Sequence, residues 1–215
     1  MGTVRAVMFD FNGTLSHDEP LLCQIYRELF AQHGRPLTEE QYYGLLAGLS
    51  EEAIISGWLG VDGPLLGSLV TERIDRYTVA AADGSTVPES VRRAVRLAAA
   101  RVPVGIVSGA FRAEIVPVVQ AAGLTAELTT IVAADDVERG KPDPEGYLLA
   151  LDRIGFGAAD VVAFEDTEAG VAAAKAAGLR CLAVRGTLPE ARLVEADEIV
   201  DGIDTALIGR LLTAS

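Results

Sequence analysis

Polar side chains stand at the ends of several apolar runs that are typical of buried strands. Asp10 follows Val4 to Phe9, Ser108 and Gly109 follow VPVGIV, Lys141 lies in the turn GKPDP, and Glu165 and Asp166 follow VVAF. The carboxyl ends of neighbouring parallel strands meet at one edge of a sheet, where ligands bind. Each segment alone is also compatible with an ordinary turn or helix cap. Their joint occurrence predicts that they converge on one site.

These residue types match the requirements of phosphoryl transfer. The reaction needs a nucleophile, a cation that screens it from the phosphate, and donors for the phosphate oxygens. We expect Asp10 to be the nucleophile, and Asp166 with Glu165 to hold Mg²⁺ beside it, because Mg²⁺ prefers oxygen ligands. The Ser108 hydroxyl and the Lys141 ammonium are expected to bind the phosphate oxygens and to take part in catalysis.

The turns after the strands are expected to contribute backbone groups. Gly13 allows a tight turn that brings backbone amides close to a bound group. We assign Phe11 and Asn12 of this turn, and Gly109 of the turn after the second strand, to phosphate binding. The predicted ligand is a small phosphorylated metabolite.

The elements that must position these groups fall into two parts. Residues 16–86 have apolar positions at helical spacing and helix-start signals at Thr38-Glu-Glu and Ser50-Glu-Glu, so they predict an inserted set of helices. Residues 1–15 and 87–215 alternate strand and helix patterns. This alternation predicts an α/β fold, a Rossmann-like parallel sheet core with helices on both faces.

Three local predictions concern residues outside the strand ends. Leu188 to Ala196 has a helical pattern between the last two strands. Arg73 and Arg76 lie on one face of an inserted helix and are expected to be solvated. His17 follows the first turn closely and could carry a proton, but is expected to be a surface residue.

The composition limits the possible partners. The chain has 215 residues and a formal net charge of −13, which argues against binding to the anionic backbone of nucleic acids. No apolar run approaches the roughly 20 residues that cross a bilayer, so we expect no membrane partner and a cytoplasmic location. Cys23 and Cys181 have no metal-type spacing and are expected to be buried thiols. A monomer or a weak homodimer is expected.

The motifs together resemble the haloacid dehalogenase superfamily, in particular its branch with a helical cap after the first strand, which contains enzymes similar to β-phosphoglucomutase and phosphoglycolate phosphatase. The matching segments, in order, are DFNGT at Asp10 to Thr14, Ser108-Gly109, GKPDP at Gly140 to Pro144, and FEDTEAG at Phe164 to Gly170. The resemblance implies a core over 1–15 and 87–215, a cap over 16–86, Mg²⁺, and an aspartyl-phosphate on Asp10. It also implies that the backbone carbonyl of Asn12 binds the metal.

Position 12 departs from the pattern of the family that the chain resembles. The phosphatases of this family carry an aspartate there, which protonates the leaving oxygen and then activates water, whereas this chain has Asn12. An amide cannot transfer these protons, and loss of such a group typically costs about 10² to 10⁴ in rate. We therefore expect a phosphatase that is slow or limited to good leaving groups. The alternatives are an impaired protein that only binds a phosphorylated ligand, and a hydrolase similar to the 2-haloacid dehalogenases.

Two other activities found among the resembled proteins fit this chain poorly. β-Phosphoglucomutases carry Gly-x-Ser-Arg in a cap loop, whereas this chain reads Gly48-Leu-Ser-Glu51. Glu51 would replace the arginine that clamps the second phosphate of a bisphosphate. A phosphonoacetaldehyde hydrolase would need a cap lysine for a Schiff base, and residues 16–86 contain none. Neither activity is expected.

Overall fold

A six-stranded parallel sheet forms the centre of the protein in a computed structural model that describes residues 4–213. Its order is β3-β2-β1-β4-β5-β6, with β1 Ala6–Phe9, β2 Val104–Val107, β3 Thr130–Val132, β4 Val161–Glu165, β5 Arg180–Val184 and β6 Glu198–Val200. β1 pairs with β2 on one side and with β4 on the other. The polar residues that follow these three strands are therefore neighbours, as the sequence predicted. The outermost residues of the predicted core, 1–3 and 214–215, lie outside the described residues.

Helices separate β1 from the rest of the sheet. They are α1 Glu19–Gln32, α2 Glu39–Gln41, α3 Glu51–Leu59 and α4 Gly63–Ala80, with a π-helical turn at Tyr42–Leu46. The hydroxyl of Thr38 accepts a hydrogen bond from the Gln41 amide and that of Ser50 from the Ala53 amide, so both predicted helix starts are confirmed. We call α1–α4 the inserted helices; the division of the chain into a core and a cap domain remains a prediction.

The two ends of this insertion are tied together beside the end of β1. The Ser16 hydroxyl donates a hydrogen bond of 2.8 Å to the Thr86 hydroxyl. The His17 amide donates another, of 2.7 Å, to the Thr86 carbonyl. The chain therefore enters and leaves the inserted helices at one place.

Five further helices cover both faces of the sheet. They are α5 Glu89–Ala99, α6 Arg112–Ala121, α7 Glu145–Ile154, α8 Glu168–Ala176 and α9 Thr205–Thr213. Along β1, Val7 and Phe9 belong to the apolar cluster that includes α5, α6 and α9, whereas Ala6 and Met8 belong to the cluster that includes α7 and α8. Both faces of the strand are thus buried, which explains its unbroken apolar sequence. Among the helices of residues 4–213, none combines the length and the apolar character needed to cross a membrane.

The predicted helix over Leu188 to Ala196 is wrong. This segment forms only a 3₁₀ turn at Glu190–Arg192, because Leu188 and Leu193 are buried in two different apolar clusters and the chain has to pass from one cluster to the other. Asp197 then accepts hydrogen bonds from the Cys181 amide and the Lys175 ammonium, which fix the start of β6. The predicted buried thiols are confirmed, since Cys23 and Cys181 are both free and buried.

Candidate active site

A cavity of about 450 Å³ lies at the carboxyl ends of the strands, between the sheet and the inserted helices. The strand-end and turn residues in its walls are Asp10, Asn12, Ser108, Gly109, Lys141 and Asp166. The inserted helices and their loops contribute Glu19, Tyr26, Tyr42, Glu51, Glu52 and Arg73. The polar strand ends therefore converge on one cavity, as expected from a parallel sheet.

Lys141 is the centre of a small charged cluster in this cavity. Its ammonium lies 2.5 Å from Oδ1 of Asp10 and 2.6 Å from Oε1 of Glu165, and it donates a hydrogen bond of 2.9 Å to the Val107 carbonyl. Burial lowers the pKa of Lys141, but the two carboxylates outweigh this effect and raise it. Burial raises the pKa of Glu165 to about 7, and Lys141 limits the rise. Lys141 therefore stays charged and fixes the orientation of Asp10.

Three carboxylates meet beside Lys141. Asp10, Glu165 and Asp166 have oxygens that all lie within 4.8 Å of one another. Burial, followed by the charges of Asp10 and Glu165, raises the pKa of Asp166 well above its ordinary value. Oε2 of Glu165 and Oδ2 of Asp166 are buried and have no hydrogen-bond partner among residues 4–213. Unpartnered carboxylate oxygens in a cluster with excess negative charge fit a divalent cation with oxygen ligands.

Two glycines make room for these carboxylates. A Cβ at Gly13, whose φ is +72°, would lie 1.9 Å from Oδ2 of Asp166. A Cβ at Gly170 would lie 1.8 Å from Oε2 of Glu165. Thr167 caps α8 by accepting a hydrogen bond from the Gly170 amide, so Glu165 and Asp166 are not needed as caps. Asp166 lines the cavity, whereas Glu165 is fully buried and does not. The absence of side chains at both glycines is thus a requirement of the acidic cluster.

The other predicted phosphate-binding residues differ in their surroundings. Ser108 is buried at the cavity wall, and its hydroxyl oxygen accepts a hydrogen bond from the Ala110 amide, so its own proton can be donated to a ligand. Gly109 is exposed at the same wall. The side chain of Phe11 is fully buried in the core, so only its backbone could serve the predicted role.

Arg73 contradicts the prediction of a solvated side chain, because it is only 1% exposed. Its guanidinium forms ion pairs with Glu114 on α6 and, at 3.3 Å, with Glu51 on α3, and it lies 5.5 Å from the ring centre of Tyr26. Burial raises the pKa of Glu114 to about 7, and the Arg73 charge opposes this rise. The helical pattern around Arg73 did not reveal these partners, because they come from distant segments of the chain.

Two acidic residues at the start of α1 were missed by the sequence analysis. Asp18 is 1% exposed and accepts a hydrogen bond of 2.9 Å from the Asn12 amide, another from the Gly13 amide, and a third from the Tyr77 hydroxyl. Glu19 lines the cavity and accepts a hydrogen bond of 3.1 Å from the Tyr42 hydroxyl. The only sequence signal was a pair of acids before a proline at a helix start.

Comparisons with known proteins agree with this arrangement. Residues 4–178 match the family model described as a hydrolase, haloacid dehalogenase-like hydrolase. Validoxylamine A 7'-phosphate phosphatase from Streptomyces hygroscopicus subsp. limoneus is 29% identical over 197 residues, which cover 91% of this chain and 92% of that protein. The phosphorylated carbohydrates phosphatase of Thermotoga maritima is 30% identical over 179 residues, or 82% of either chain.

A solved structure resembles nearly the whole fold of this chain. The crystal structure of CbbY from Rhodobacter sphaeroides in complex with phosphate superposes with a TM-score of 0.82 and 26% sequence identity. The match covers 93% of this chain and 94% of CbbY. The likeness therefore extends over nearly the whole length of both proteins.

Proposed function

Because the chain belongs to the haloacid dehalogenase-like hydrolases, we propose that it is a phosphatase that hydrolyses a small phosphorylated metabolite through a phosphoryl group carried on Asp10. The observation that carries the proposal is the Asp10 carboxylate, which lines the cavity, contacts the Lys141 ammonium at 2.5 Å and adjoins two buried carboxylates. The two relatives described above are named as phosphatases of phosphorylated compounds, which supports the same substrate class.

We assign Mg²⁺ to the acidic cluster. Its ligands would be the carboxylates of Asp10 and Asp166 and the backbone carbonyl of Asn12, with Glu165 beside them. The unpartnered oxygens of Glu165 and Asp166 support this assignment. A bound Mg²⁺ would screen the repulsion between a carboxylate nucleophile and an anionic phosphate.

The reaction divides into two steps at Asp10. First, an oxygen of Asp10 attacks phosphorus, and the bond from phosphorus to the leaving oxygen breaks. Second, water attacks the same phosphorus, the Asp10 carboxylate leaves, and inorganic phosphate is released. In both steps the Ser108 hydroxyl, the Lys141 ammonium and the backbone amides of the adjoining turns would bind the phosphate oxygens, where negative charge has to be stabilised.

Each step also requires a proton transfer that Asn12 cannot perform. The leaving oxygen needs a proton in the first step, and the attacking water must lose one in the second. An amide neither donates nor accepts a proton near neutral pH. Turnover is therefore slow, or limited to leaving groups that depart as stable anions, unless another side chain of the cavity carries the proton.

A panel of phosphate esters and acyl phosphates, assayed by phosphate release with Mg²⁺ and with EDTA, tests the proposal. The wild type should release phosphate only with Mg²⁺, and Asp10→Asn should release none, because the amide is not a nucleophile. Equal release by the wild type and Asp10→Asn would contradict the proposal. Binding of phosphorylated compounds without any release by the wild type would indicate a protein that only binds its ligand.

A further inference from the structure

Three ionisable residues, His17, Asp18 and Glu19, follow the first turn and are candidates for the proton transfer that Asn12 cannot perform. Their positions in the structure distinguish them. His17 is exposed and borders a different cavity, together with Ser90 and Asp201. It does not line the cavity that contains Asp10. His17 is therefore not in a position to act on a group bound at Asp10.

Asp18 is close to Asn12 but is enclosed by hydrogen-bond donors. Its Oδ2 accepts from the Asn12 side chain and the Tyr77 hydroxyl, and its Oδ1 accepts from the Gly13 amide. It is 1% exposed and does not line the cavity. Asp18 thus holds Asn12 and the turn in place and does not face a ligand.

Glu19 has the position that the other two lack. It is the first residue of α1 and lines the same cavity as Asp10 and Asn12. The Tyr42 hydroxyl donates to Oε2 of Glu19 and so restricts the orientation of the carboxyl group. A carboxyl group held in this way can be directed at a ligand between the inserted helices and the strand ends.

We propose that Glu19 carries the two protons that an amide at position 12 cannot transfer. In the first step the Glu19 carboxyl gives its proton to the leaving oxygen as the bond from phosphorus to that oxygen breaks, which yields the free alcohol. In the second step the Glu19 carboxylate takes a proton from the water that attacks the phosphoryl group on Asp10. Glu19 is then protonated again, and the Asp10 carboxylate is restored. This inference rests on the proposed phosphatase function.

The electrostatic surroundings of Glu19 suit both forms of the group. Burial, followed by the charge of Asp18 and to a smaller extent that of Asp10, raises the pKa of Glu19 to about 7. The hydrogen bond from Tyr42 and the charge of Arg73 oppose this rise. A group that titrates near neutral pH is suited to both donating and accepting a proton. The other ionisable groups that interact with Glu19 are Cys23, Tyr43 and Asp166.

The decisive variant is Glu19→Gln, which keeps the size and can accept the Tyr42 hydrogen bond but cannot transfer a proton. Its matched control is Glu28→Gln, on an exposed position of the same helix. Single-turnover phosphoryl transfer is measured with phenyl phosphate, whose leaving group needs a proton, and with para-nitrophenyl phosphate, whose leaving group does not. Glu19→Gln should lose about 10²-fold or more with phenyl phosphate and less than about tenfold with para-nitrophenyl phosphate. Glu28→Gln should match the wild type with both.

The second step provides an independent readout of the same variant. After reaction with para-nitrophenyl phosphate and acid quenching, Glu19→Gln should show a persistent phosphoryl adduct by intact-protein mass, because its water is not activated. The wild type should show little adduct. An equal loss with both substrates, as a purely structural role would produce, or no loss at all, would overturn the proposal. The proposed phosphatase function would still stand if Asp10→Asn remained inactive.

A measurement on the wild type covers the case in which Glu19→Gln does not fold. The ratio of kcat/KM for phenyl phosphate to that for para-nitrophenyl phosphate should fall as the pH rises through about 7, because the acid form of Glu19 is lost. Taking the ratio removes most of the effect of phosphate ionisation, because both substrates are mainly dianions near neutral pH. A ratio that does not change with pH would overturn the assignment.

Discussion

The side-chain amide of Asn12 donates a hydrogen bond of 2.9 Å to Oδ2 of Asp18, a carboxylate that is only 1% exposed. Asn12 is the donor of this pair and the Asp18 carboxylate is the acceptor, so position 12 needs a side chain that can donate a hydrogen bond. An aspartate at that position would face a second buried carboxyl group instead. The amide at position 12 is therefore built into the local structure of this chain.

The first prediction concerns this pair. Asn12→Asp should lower the free energy of unfolding by about 1 to 3 kcal/mol, because a buried carboxylate loses its donor and gains a like charge. Asn12→Asp combined with Asp18→Asn should recover at least about 1 kcal/mol of that loss, because the exchange restores a donor and an acceptor. Urea unfolding of both single variants and the double variant measures the coupling. Strictly additive effects would show that the hydrogen bond does not couple the two positions.

The second prediction concerns the acidic cluster. Asp166→Asn should weaken Mg²⁺ binding by at least about tenfold and reduce turnover below about a tenth of the wild-type rate, because a buried anionic ligand is lost. Titration calorimetry with MgCl₂ measures the binding directly. Asp152→Asn, an exposed change on α7, is the control and should bind Mg²⁺ like the wild type. Unchanged Mg²⁺ affinity in Asp166→Asn would place the cation elsewhere.

The third prediction concerns the ion pairs that join the inserted helices to α6. Arg73→Met should lower the free energy of unfolding by about 3 to 5 kcal/mol, because the buried carboxylate of Glu114 and the 13% exposed side chain of Glu51 lose their common cation. Arg76→Met, which breaks a more exposed pair with Glu72, should cost less than about 1 kcal/mol. Urea unfolding of the two variants compares them. Similar losses of unfolding free energy would mean that the ion pairs of Arg73 contribute no more to stability than the Arg76–Glu72 pair.

The fourth prediction uses the pKa of Glu19 as a probe of stability. A carboxyl group whose pKa is raised to about 7 in the folded protein favours folding most at low pH. Its contribution is lost as the pH rises from its unfolded value, near 4.5, through about 7. The wild type without Mg²⁺ should therefore lose more stability between these pH values than Glu19→Gln. Denaturant unfolding at several pH values checks this, and parallel pH profiles would show an ordinary pKa for Glu19.

The groups at the strand ends could be predicted from the sequence because each depends on a local pattern. An apolar run followed by Asp10 or by Glu165-Asp166 identifies a strand end, and parallel topology then brings the ends together. The contributions of the helices were not predictable in this way. The helical pattern places Arg73 on the same face as Arg76, which predicts an exposed side chain. Its burial depends on Glu51 and Glu114, which lie far from it in the chain.

The segment around Leu193 illustrates the same limit for secondary structure. Its residues favour a helix, but Leu188 and Leu193 are buried in two different apolar clusters, and only a single 3₁₀ turn forms between them. The role proposed for Glu19 could not be predicted from the sequence for a related reason. The packing of the inserted helices decides that Glu19 lines the cavity and accepts a hydrogen bond from Tyr42. It also decides that His17 borders a different cavity.

The hydrogen bonds from Ser16 and His17 to Thr86 also have a consequence for how the inserted helices can change during evolution. Since the insertion begins and ends at one point beside β1, its length does not affect the register of any strand. The entropic cost of closing a longer or shorter loop there changes only slowly with its length. Recombination at this point could exchange one set of inserted helices for another while Asp10, the proposed nucleophile, and its neighbours stayed in place. In this chain such an exchange would also remove Glu19, so under the proposed mechanism a newly acquired insertion would have to bring its own proton carrier.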